Sequence, residues 1–149
     1  MRRIISVILV LIFVPLISVS ALANENEVER VYFEDGSYLE ITIQSVESRA
    51  SGTKSAGKTY SFTNSNGVEE WKAVLRATFT YTGSSATCIA SSCDVMITDT
   101  AWYEVSKVVN KSGATATCDL TMGRKLLGIT IEKKTINMTF TCDANGNLS

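Results

Sequence analysis

Residues 58–82 read Lys58-Thr59-Tyr60-Ser61-Phe62-Thr63-Asn64-Ser65-Asn66-Gly67-Val68-Glu69-Glu70-Trp71-Lys72-Ala73-Val74-Leu75-Arg76-Ala77-Thr78-Phe79-Thr80-Tyr81-Thr82. Two runs of alternating apolar and polar residues flank the pair Asn66-Gly67, and this alternation is the pattern of strands with one buried face. Asn-Gly between such runs predicts a hairpin, because a type I′ turn needs positive φ at both central residues. That turn would place Phe62 opposite Trp71. It would also place Tyr60 opposite Ala73 on the same apolar face, so turn chemistry and hydrophobic pattern predict one register.

The N-terminus has the pattern of a secretory signal peptide. Arg2-Arg3 form a basic region, and the apolar run that follows, residues 4–17, is too short to span a membrane. Residues 18–23 end in the small-x-small pattern that signal peptidase accepts. We therefore predict cleavage after Ala23 and secretion into the extracellular space, with no transmembrane segment in the mature chain.

Composition limits the classes of partner. The chain has 149 residues, a net charge of −1 and no histidine. Removal of the two leader arginines would make it mildly acidic, which gives no overall attraction to nucleic acid or to anionic membranes. We expect no nucleic-acid partner, and an extracellular protein or glycan as the partner instead.

The remaining sequence predicts six or seven strands separated by turns that are rich in glycine, asparagine and aspartate. Tyr38–Val46 alternates cleanly, and so do residues 114–122. No stretch of ten or more residues after the leader has a helical period. We therefore predict an all-β fold, an antiparallel two-sheet β-sandwich of immunoglobulin-like architecture, with a partly open β-barrel as the alternative.

The predicted organisation has three parts. Residues 1–23 are the signal peptide, residues 24–57 hold N-terminal strands and a flexible Ser/Gly-rich segment, and residues 58–149 form a disulfide-bonded β domain. Residues 47–57 are the flexible part, because they are poor in hydrophobic residues and rich in serine and glycine. Residues 83–92 are predicted to be a further loop.

Two irregularities are predicted in the second half of the chain. Asp99 has the strand parity of Val95, and a carboxylate in a core is costly without a partner. We therefore predict a β-bulge near Asp99-Thr100, where Trp102 or Tyr103 changes face. A second slip is predicted near residues 133–134, because the isoleucines of the last strand change phase along it.

Four cysteines lie in the exported part, at positions 88, 93, 118 and 142. An even count in an oxidising compartment predicts two disulfides, for which three connectivities exist. A hairpin register does not bring Cys118 opposite Cys142, so each should reach the region of Cys88 and Cys93. We expect the pairs Cys88–Cys142 and Cys93–Cys118. With no histidine and no CxxC pair, no metal site and no cofactor are predicted.

Several runs resemble a family of small exported proteins of unknown function from Gram-positive, often gut-associated, bacteria. They are Tyr32-Phe33-Glu34-Asp35-Gly36-Ser37-Tyr38, Ser48-Arg49-Ala50-Ser51, Thr78-Phe79-Thr80-Tyr81 with Cys88, and the ending Cys142-Asp143-Ala144-Asn145-Gly146-Asn147-Leu148-Ser149. The resemblance covers essentially the whole exported chain. It implies secretion and favours a Cys88–Cys142 pair, and it supplies no activity or catalytic residue.

Enzymatic activity is not predicted, and we name no catalytic residue. Catalysis by a serine or cysteine with a histidine base is excluded, because the chain has no histidine. A glycosidase needs two carboxylates held a few ångströms apart in a cleft. The available acids, which we expect in turns or on outward strand positions, are Asp94, Asp99, Glu104, Asp119 and the pair Glu69-Glu70.

Two features are typical of a binding module. The pair Trp102-Tyr103 beside the predicted bulge could present an exposed indole; the alternative is that Trp102 fills the core, as aromatic residues usually do in sandwiches. The run Arg124-Lys125-Leu126-Leu127 places two leucines and two cations at a glycine-flanked turn. We therefore predict a non-enzymatic secreted domain that binds a protein or glycan. The alternative is a structural or precursor-type exported protein that is cut within residues 47–57. A weaker third hypothesis is a hydrolase inhibitor acting through residues 83–93.

Overall fold

The computed structural model describes residues 28–46 and 52–149, so the predicted signal peptide and its cleavage site lie outside the described residues. All of the described secondary structure is β-strand. The strands are β1 (Glu29–Tyr32), β2 (Tyr38–Val46), β3 (Thr53–Thr63), β4 (Glu69–Tyr81), β5 (Ala86–Ile97), β6 (Trp102–Ser112), β7 (Thr115–Leu126) and β8 (Ile129–Thr141). In these two ranges no helix is long and apolar enough to cross a membrane.

The strands form two antiparallel sheets. Strands β1 to β5 make a five-stranded sheet and β6 to β8 a three-stranded sheet, each in sequence order. Strands that are hydrogen-bonded to each other are therefore also consecutive in the sequence. The predicted two-sheet sandwich is confirmed, and the sheets do not close into a barrel. The connections are simple meanders, so the resemblance to an immunoglobulin domain is one of layered architecture and not of topology.

One hydrophobic core fills the space between the sheets. The alternation predicted for residues 114–122 is confirmed, since the even-numbered side chains from 116 to 122 are fully buried. The largest fully buried side chains, from both sheets, are Trp71, Phe62, Phe79, Phe140, Leu75, Leu120, Met122, Met138 and Cys118. Burial of this apolar surface is the main favourable term in folding.

Aromatic rings connect the two sheets at one end of the core. Phe62 stacks on Trp71 with ring centroids 5.1 Å apart. Trp102, the first residue of β6, packs edge-on against both, at 5.3 Å from Phe62 and 6.0 Å from Trp71. Tilted contacts of this kind are favoured by the ring quadrupoles. The point where the chain enters the second sheet is therefore held against the β3–β4 hairpin.

The predicted register of the β3–β4 hairpin is confirmed. Phe62 pairs with Trp71, and Tyr60 pairs with Ala73. Leu75, two residues further along, is also fully buried. The apolar face of this hairpin is one wall of the core, as its alternation predicted.

The type of turn in this hairpin was predicted wrongly. Of the pair Asn66-Gly67 only the glycine has positive φ, at 81°. The amide of Gly67 donates to the Asn64 carbonyl at 2.9 Å, which is a three-residue loop with a left-handed glycine. The register shifts beside this loop, leaving Glu70 as the extra residue on β4. Glu70 is 3% exposed, so its assignment as a solvated surface charge is also wrong.

Most of residues 83–92, which were predicted to be a loop, are strand. Strand β5 starts at Ala86 and pairs with β4, so the inhibitory loop considered for residues 83–93 is largely a hydrogen-bonded strand. A register shift opposite Thr78 leaves Ile89 as an extra residue. Because the shift lies between Cys88 and Cys93, these two residues of opposite parity are both buried. Sequence alternation alone misses such a strand.

The predicted bulge at Asp99-Thr100 is instead the connection between the sheets. Strand β5 ends at Ile97 and β6 starts at Trp102. The Asp99 carboxylate accepts the amide of Ala101 at 2.9 Å, and the Asp99 carbonyl accepts the amide of Trp102 at 3.0 Å. Asp99 therefore has a partner in a tight turn and does not point into a core.

The boundary predicted between residues 57 and 58 falls inside a strand. β3 starts at Thr53 and pairs with β2 on one side and β4 on the other. Residues 53–57 are therefore strand and not flexible segment, because their backbone hydrogen bonds complete the centre of the sheet. Of the predicted cleavage segment, residues 47–51 lie outside the described residues.

The last strand has the predicted slip, two residues earlier than expected. Arg124 pairs with Glu132 and Lys125 with Thr130, so Ile131 is the extra residue. Beyond it Ile136 is buried, in phase with the other inward residues of β8. The slip explains why the isoleucines of this strand fall into two phases.

We expect Leu120→Ala to lower the free energy of unfolding by about 2–5 kcal/mol, the usual cost of emptying a fully buried leucine site. Val108→Ala, at a half-exposed position of β6, should change it by roughly 0.5 kcal/mol or less. Urea denaturation of both variants measures the difference. Equal losses would contradict the placement of the core.

Candidate functional site: the tip of the β7–β8 hairpin

The β7–β8 hairpin extends beyond the sheet to which it belongs. Strand β6 begins at Trp102, which pairs with Arg124, and the amide of Lys125 makes the last hydrogen bond to that side, to the Ala101 carbonyl at 2.8 Å. Beyond this point Leu126 and Ile129 pair only with each other across the turn. We call residues 124–131 the hairpin tip.

The turn at the end of the tip contains a strained leucine. Leu127 has a φ of 50° and Gly128 a φ of 81°, the two positive values that define a type I′ turn. Asparagine and glycine adopt this conformation readily, whereas other L-residues lose roughly 1–2 kcal/mol in it. Leu127 is also 94% exposed. Neither backbone preference nor burial accounts for a leucine here, which makes the position a functional candidate.

Three more large aliphatic side chains surround Leu127. Leu126 and Ile129 face each other across the hairpin and are 59% and 69% exposed. Ile131, the bulge residue, is 55% exposed. Single exposed aliphatic residues are ordinary on a protein surface, but four on one protruding turn form a patch of the kind that marks an interaction site.

Cations lie just behind the aliphatic side chains. The Lys125 ammonium sits 4.3 Å above the Tyr103 ring, and the Tyr103 hydroxyl is 2.7 Å from the Thr130 hydroxyl. Gly123 makes room for this ring, since a Cβ atom there would come within 2.7 Å of it. Lys133, which pairs with Gly123 across the ladder, is exposed.

The base of the tip is tied to the buried carboxylate of Glu70. This carboxylate accepts hydrogen bonds from the Trp102 indole at 2.8 Å and from the Asn64 amide at 3.0 Å. The Arg124 guanidinium lies 3.7 Å from it and 3.8 Å from the Asp99 carboxylate. A buried carboxylate is tolerated when hydrogen bonds and a cation satisfy it. The tip therefore projects from an anchored base.

The structure separates the residues predicted to bind. Trp102 is 3% exposed and fills the core beside Phe62, so the core alternative holds and Trp102 is not an exposed binding residue. Tyr103 is half-buried under Lys125. Arg124 is half-buried at the base, while Lys125, Leu126 and Leu127 are exposed.

Two members of the site were not predicted from the sequence. Ile129 and Ile131 belong to the exposed patch. In the alternation of β8 these two isoleucines are out of phase with the buried Ile136, which could have indicated that they face solvent. The sequence prediction explained the change of phase by a slip alone. A slip re-aims side chains, and here it directs both isoleucines to solvent.

The four cysteines are buried thiols in the structure, with no bond between them. Burial raises the pKa of all four, and the neighbouring Cys118 thiol raises that of Cys93 further. A raised pKa keeps a thiol protonated at neutral pH, which is the opposite of what a cysteine nucleophile needs.

The other acids named as candidates from the sequence have surface partners, and Glu69 lies 3.9 Å from Lys72. Asp94 pairs with Arg76, Glu104 with Lys107 at 3.1 Å, and Asp119 accepts the Asn137 amide at 2.6 Å. In residues 28–46 and 52–149 no three acids or cysteines are grouped so as to hold a metal ion.

An open groove of about 690 Å³ lies on the outer face of the five-stranded sheet. Small and hydroxyl-bearing side chains around Gly57 form it, with the cations Lys72 and Arg76 beside them. Arg76 is already paired with Asp94. This groove is a weaker candidate for a binding site than the hairpin tip, because its side chains are those of an ordinary solvated sheet face.

Comparisons with known proteins give little further information. No family model matches the chain, and no curated protein matches it. The fold is similar to that of a crystal structure of the hypothetical protein lmo2686 from Listeria monocytogenes EGD-e, with 12% identity and a TM-score of 0.49. The alignment covers 84% of this chain and 94% of that one. A likeness of this degree carries no statement about function.

We expect Leu127→Asn to stabilise the fold by about 1 kcal/mol, because asparagine adopts positive φ readily and no buried contact is lost. Thermal unfolding monitored by circular dichroism measures the change. Ile129→Thr is the control, since it removes a similar exposed side chain at a position without strain. A lower melting temperature for Leu127→Asn would contradict the strained turn.

Proposed function

We propose that this chain is a secreted, non-enzymatic binding module that attaches to a partner outside the cell through the hairpin tip. The observation that carries the proposal is the set of four exposed aliphatic side chains on an overhanging turn, one of them held at a strained φ. Exposed aliphatic side chains lower the solubility of a protein, and the strained φ of Leu127 lowers the stability of the fold. The presence of such a patch is explained if a partner covers it.

Secretion is supported by the sequence of residues 1–23 and by the resemblance to small exported proteins of Gram-positive bacteria. The absence of an enzyme activity is supported by the chemistry of the described side chains. Burial raises the pKa of their thiols, the candidate acids Asp94, Asp99, Glu104 and Asp119 have surface partners, and Glu70 is hydrogen-bonded in the core.

The tip suits an apolar acceptor better than a glycan. Sugar rings commonly pack on exposed aromatic faces, and the candidate indole, Trp102, is buried. Tyr103 is covered on one face by Lys125. Of the partners considered from the sequence, a glycan is therefore disfavoured.

The test compares capture of the labelled mature chain by intact bacterial and epithelial cells. A tip variant, Leu126→Thr/Leu127→Asn, keeps a β-branched strand residue and a favourable turn residue while removing two exposed leucines. We expect it to be captured at least about tenfold less than wild type, because roughly 0.8 kcal/mol is lost per methylene no longer buried.

The matched control for this test is Ile89→Ser/Val108→Ser. It removes two exposed aliphatic residues, 48% and 52% exposed, that lie away from the tip. It should be captured as well as wild type. Equal capture of wild type and the tip variant, or no capture by any cell, would refute the proposed function.

We also propose the disulfides Cys88–Cys142 and Cys93–Cys118 for the exported protein. Cys93 on β5 and Cys118 on β7 lie in opposite sheets, and both side chains are buried in the core between the sheets. The other two cysteines, Cys88 and Cys142, both lie beside the turn between β6 and β7. The Cys88 amide donates to the Gly113 carbonyl at 2.7 Å, and the Cys142 amide to that of Ala114 at 3.1 Å.

Non-reducing peptide mapping of the secreted protein tests this connectivity. We expect one peptide pair for each proposed bond, and a loss of about 3–4 kcal/mol per bond on reduction in the chain-entropy model. Peptides that join Cys88 to Cys93, or four unmodified thiols, would refute the pairing. Reduced and oxidised protein should show the same cell capture, since no cysteine lies in the tip.

A further inference from the structure

We infer that the acceptor of the hairpin tip is an anionic lipid surface, into which the four aliphatic side chains insert while the lysines behind them meet the headgroups. This inference rests on the proposed function, because it names the partner of the same site. It follows from how charge, depth and side-chain type are distributed along the hairpin.

Two cations are left to act at the hairpin tip. Residues 124–134 hold four cations and one carboxylate. Arg124 is paired with Glu70 and Asp99, and Lys134 with Asp35 and Glu132. Within the described ranges Lys125 and Lys133 have no ion-pair partner. These two charges are available to an anionic surface.

The order of side chains along the hairpin matches the depth profile of a membrane interface. A strand rises about 3.3 Å per residue, so Lys125 lies roughly 7 Å behind Leu127, and Lys133 about 13 Å behind it. Apolar faces of interfacial elements are buried about 5–10 Å into the headgroup region. With Leu127 at that depth, Lys125 and Lys133 reach the phosphates.

The composition of the tip argues against a protein pocket as the acceptor. Residues that dominate protein interfaces are most often tryptophan, tyrosine and arginine, and leucine is under-represented among them. The exposed apolar part of the tip is wholly aliphatic. Arg124, the one arginine, is engaged by Glu70 and Asp99 at the base.

A second copy of the chain is also a poor acceptor. Contact between two tips would bring Lys125 and Lys133 of one copy close to those of the other. Like charges at short range oppose such an association. An anionic bilayer takes up the same leucines and attracts the same lysines.

The experiment measures co-sedimentation of the oxidised mature chain with two kinds of vesicle. One is phosphatidylcholine alone, and the other is phosphatidylcholine mixed with phosphatidylglycerol. We expect binding to the mixed vesicles that weakens as salt is raised. Failure to bind the mixed vesicles would overturn the inference.

Variants separate the two parts of the interaction. The tip variant Leu126→Thr/Leu127→Asn should lower the partition coefficient at least about tenfold. Lys125→Gln/Lys133→Gln should lower it about tenfold on the anionic vesicles and little on phosphatidylcholine alone. The control Ile89→Ser/Val108→Ser should bind like wild type. Equal binding by wild type and the tip variant would overturn the inference.

The vesicle and cell experiments fail in different ways. Tip-dependent capture by cells without vesicle binding, abolished when surface proteins are removed by protease, would identify a protein acceptor. That outcome refutes the lipid inference and leaves the proposed function standing. Loss of both vesicle binding and cell capture refutes both.

Discussion

The hydrogen bond between the Trp102 indole and the buried Glu70 carboxylate is the interaction on which the described structure depends. Glu70 is the extra residue of a bulge in β4, and Trp102 is the residue at which the chain enters the second sheet. The same carboxylate accepts the Asn64 amide, and its backbone carbonyl accepts the amides of Thr98 and Asp99 at 2.9 Å. A buried carboxylate is stable only with such partners, so the β3–β4 hairpin and the connection between the sheets stabilise each other.

This anchored base explains how an unfavourable tip can be maintained. Arg124 is drawn toward Glu70 and Asp99, and the indole of its ladder partner Trp102 is held in the core. The ladder beyond this pair is short, and its tip has four exposed aliphatic side chains, one of which belongs to the strained Leu127. The sandwich supplies the stability that the tip does not supply for itself, which is a usual division between scaffold and binding element.

Strong alternation made large parts of the fold predictable from sequence. The register of Phe62 with Trp71 followed from the pattern on both sides of the turn, and it held although the turn itself is of another type. The prediction survived because a bulge at Glu70 restores the phase that the three-residue loop would have shifted. Strand β5 was missed because its own bulge at Ile89 breaks the alternation between two buried cysteines. Bulges are set by contacts across the sheet, which a local pattern does not contain.

The sequence by itself determined the all-β class, the central hairpin register, the inward face of β7 and the presence of leucines and cations at a glycine-flanked turn. Tertiary structure alone decided which of these side chains reach solvent. Trp102, for which both a surface and a core position were open, lies in the core, and Glu70, expected at the surface, is its hydrogen-bond partner. Ile129 and Ile131 are surface residues because the register of β8 shifts by one residue and because the β7–β8 hairpin extends beyond the start of β6. Exposure depends on where neighbouring strands end and on which sheet faces which, and these are relations between segments distant in the chain.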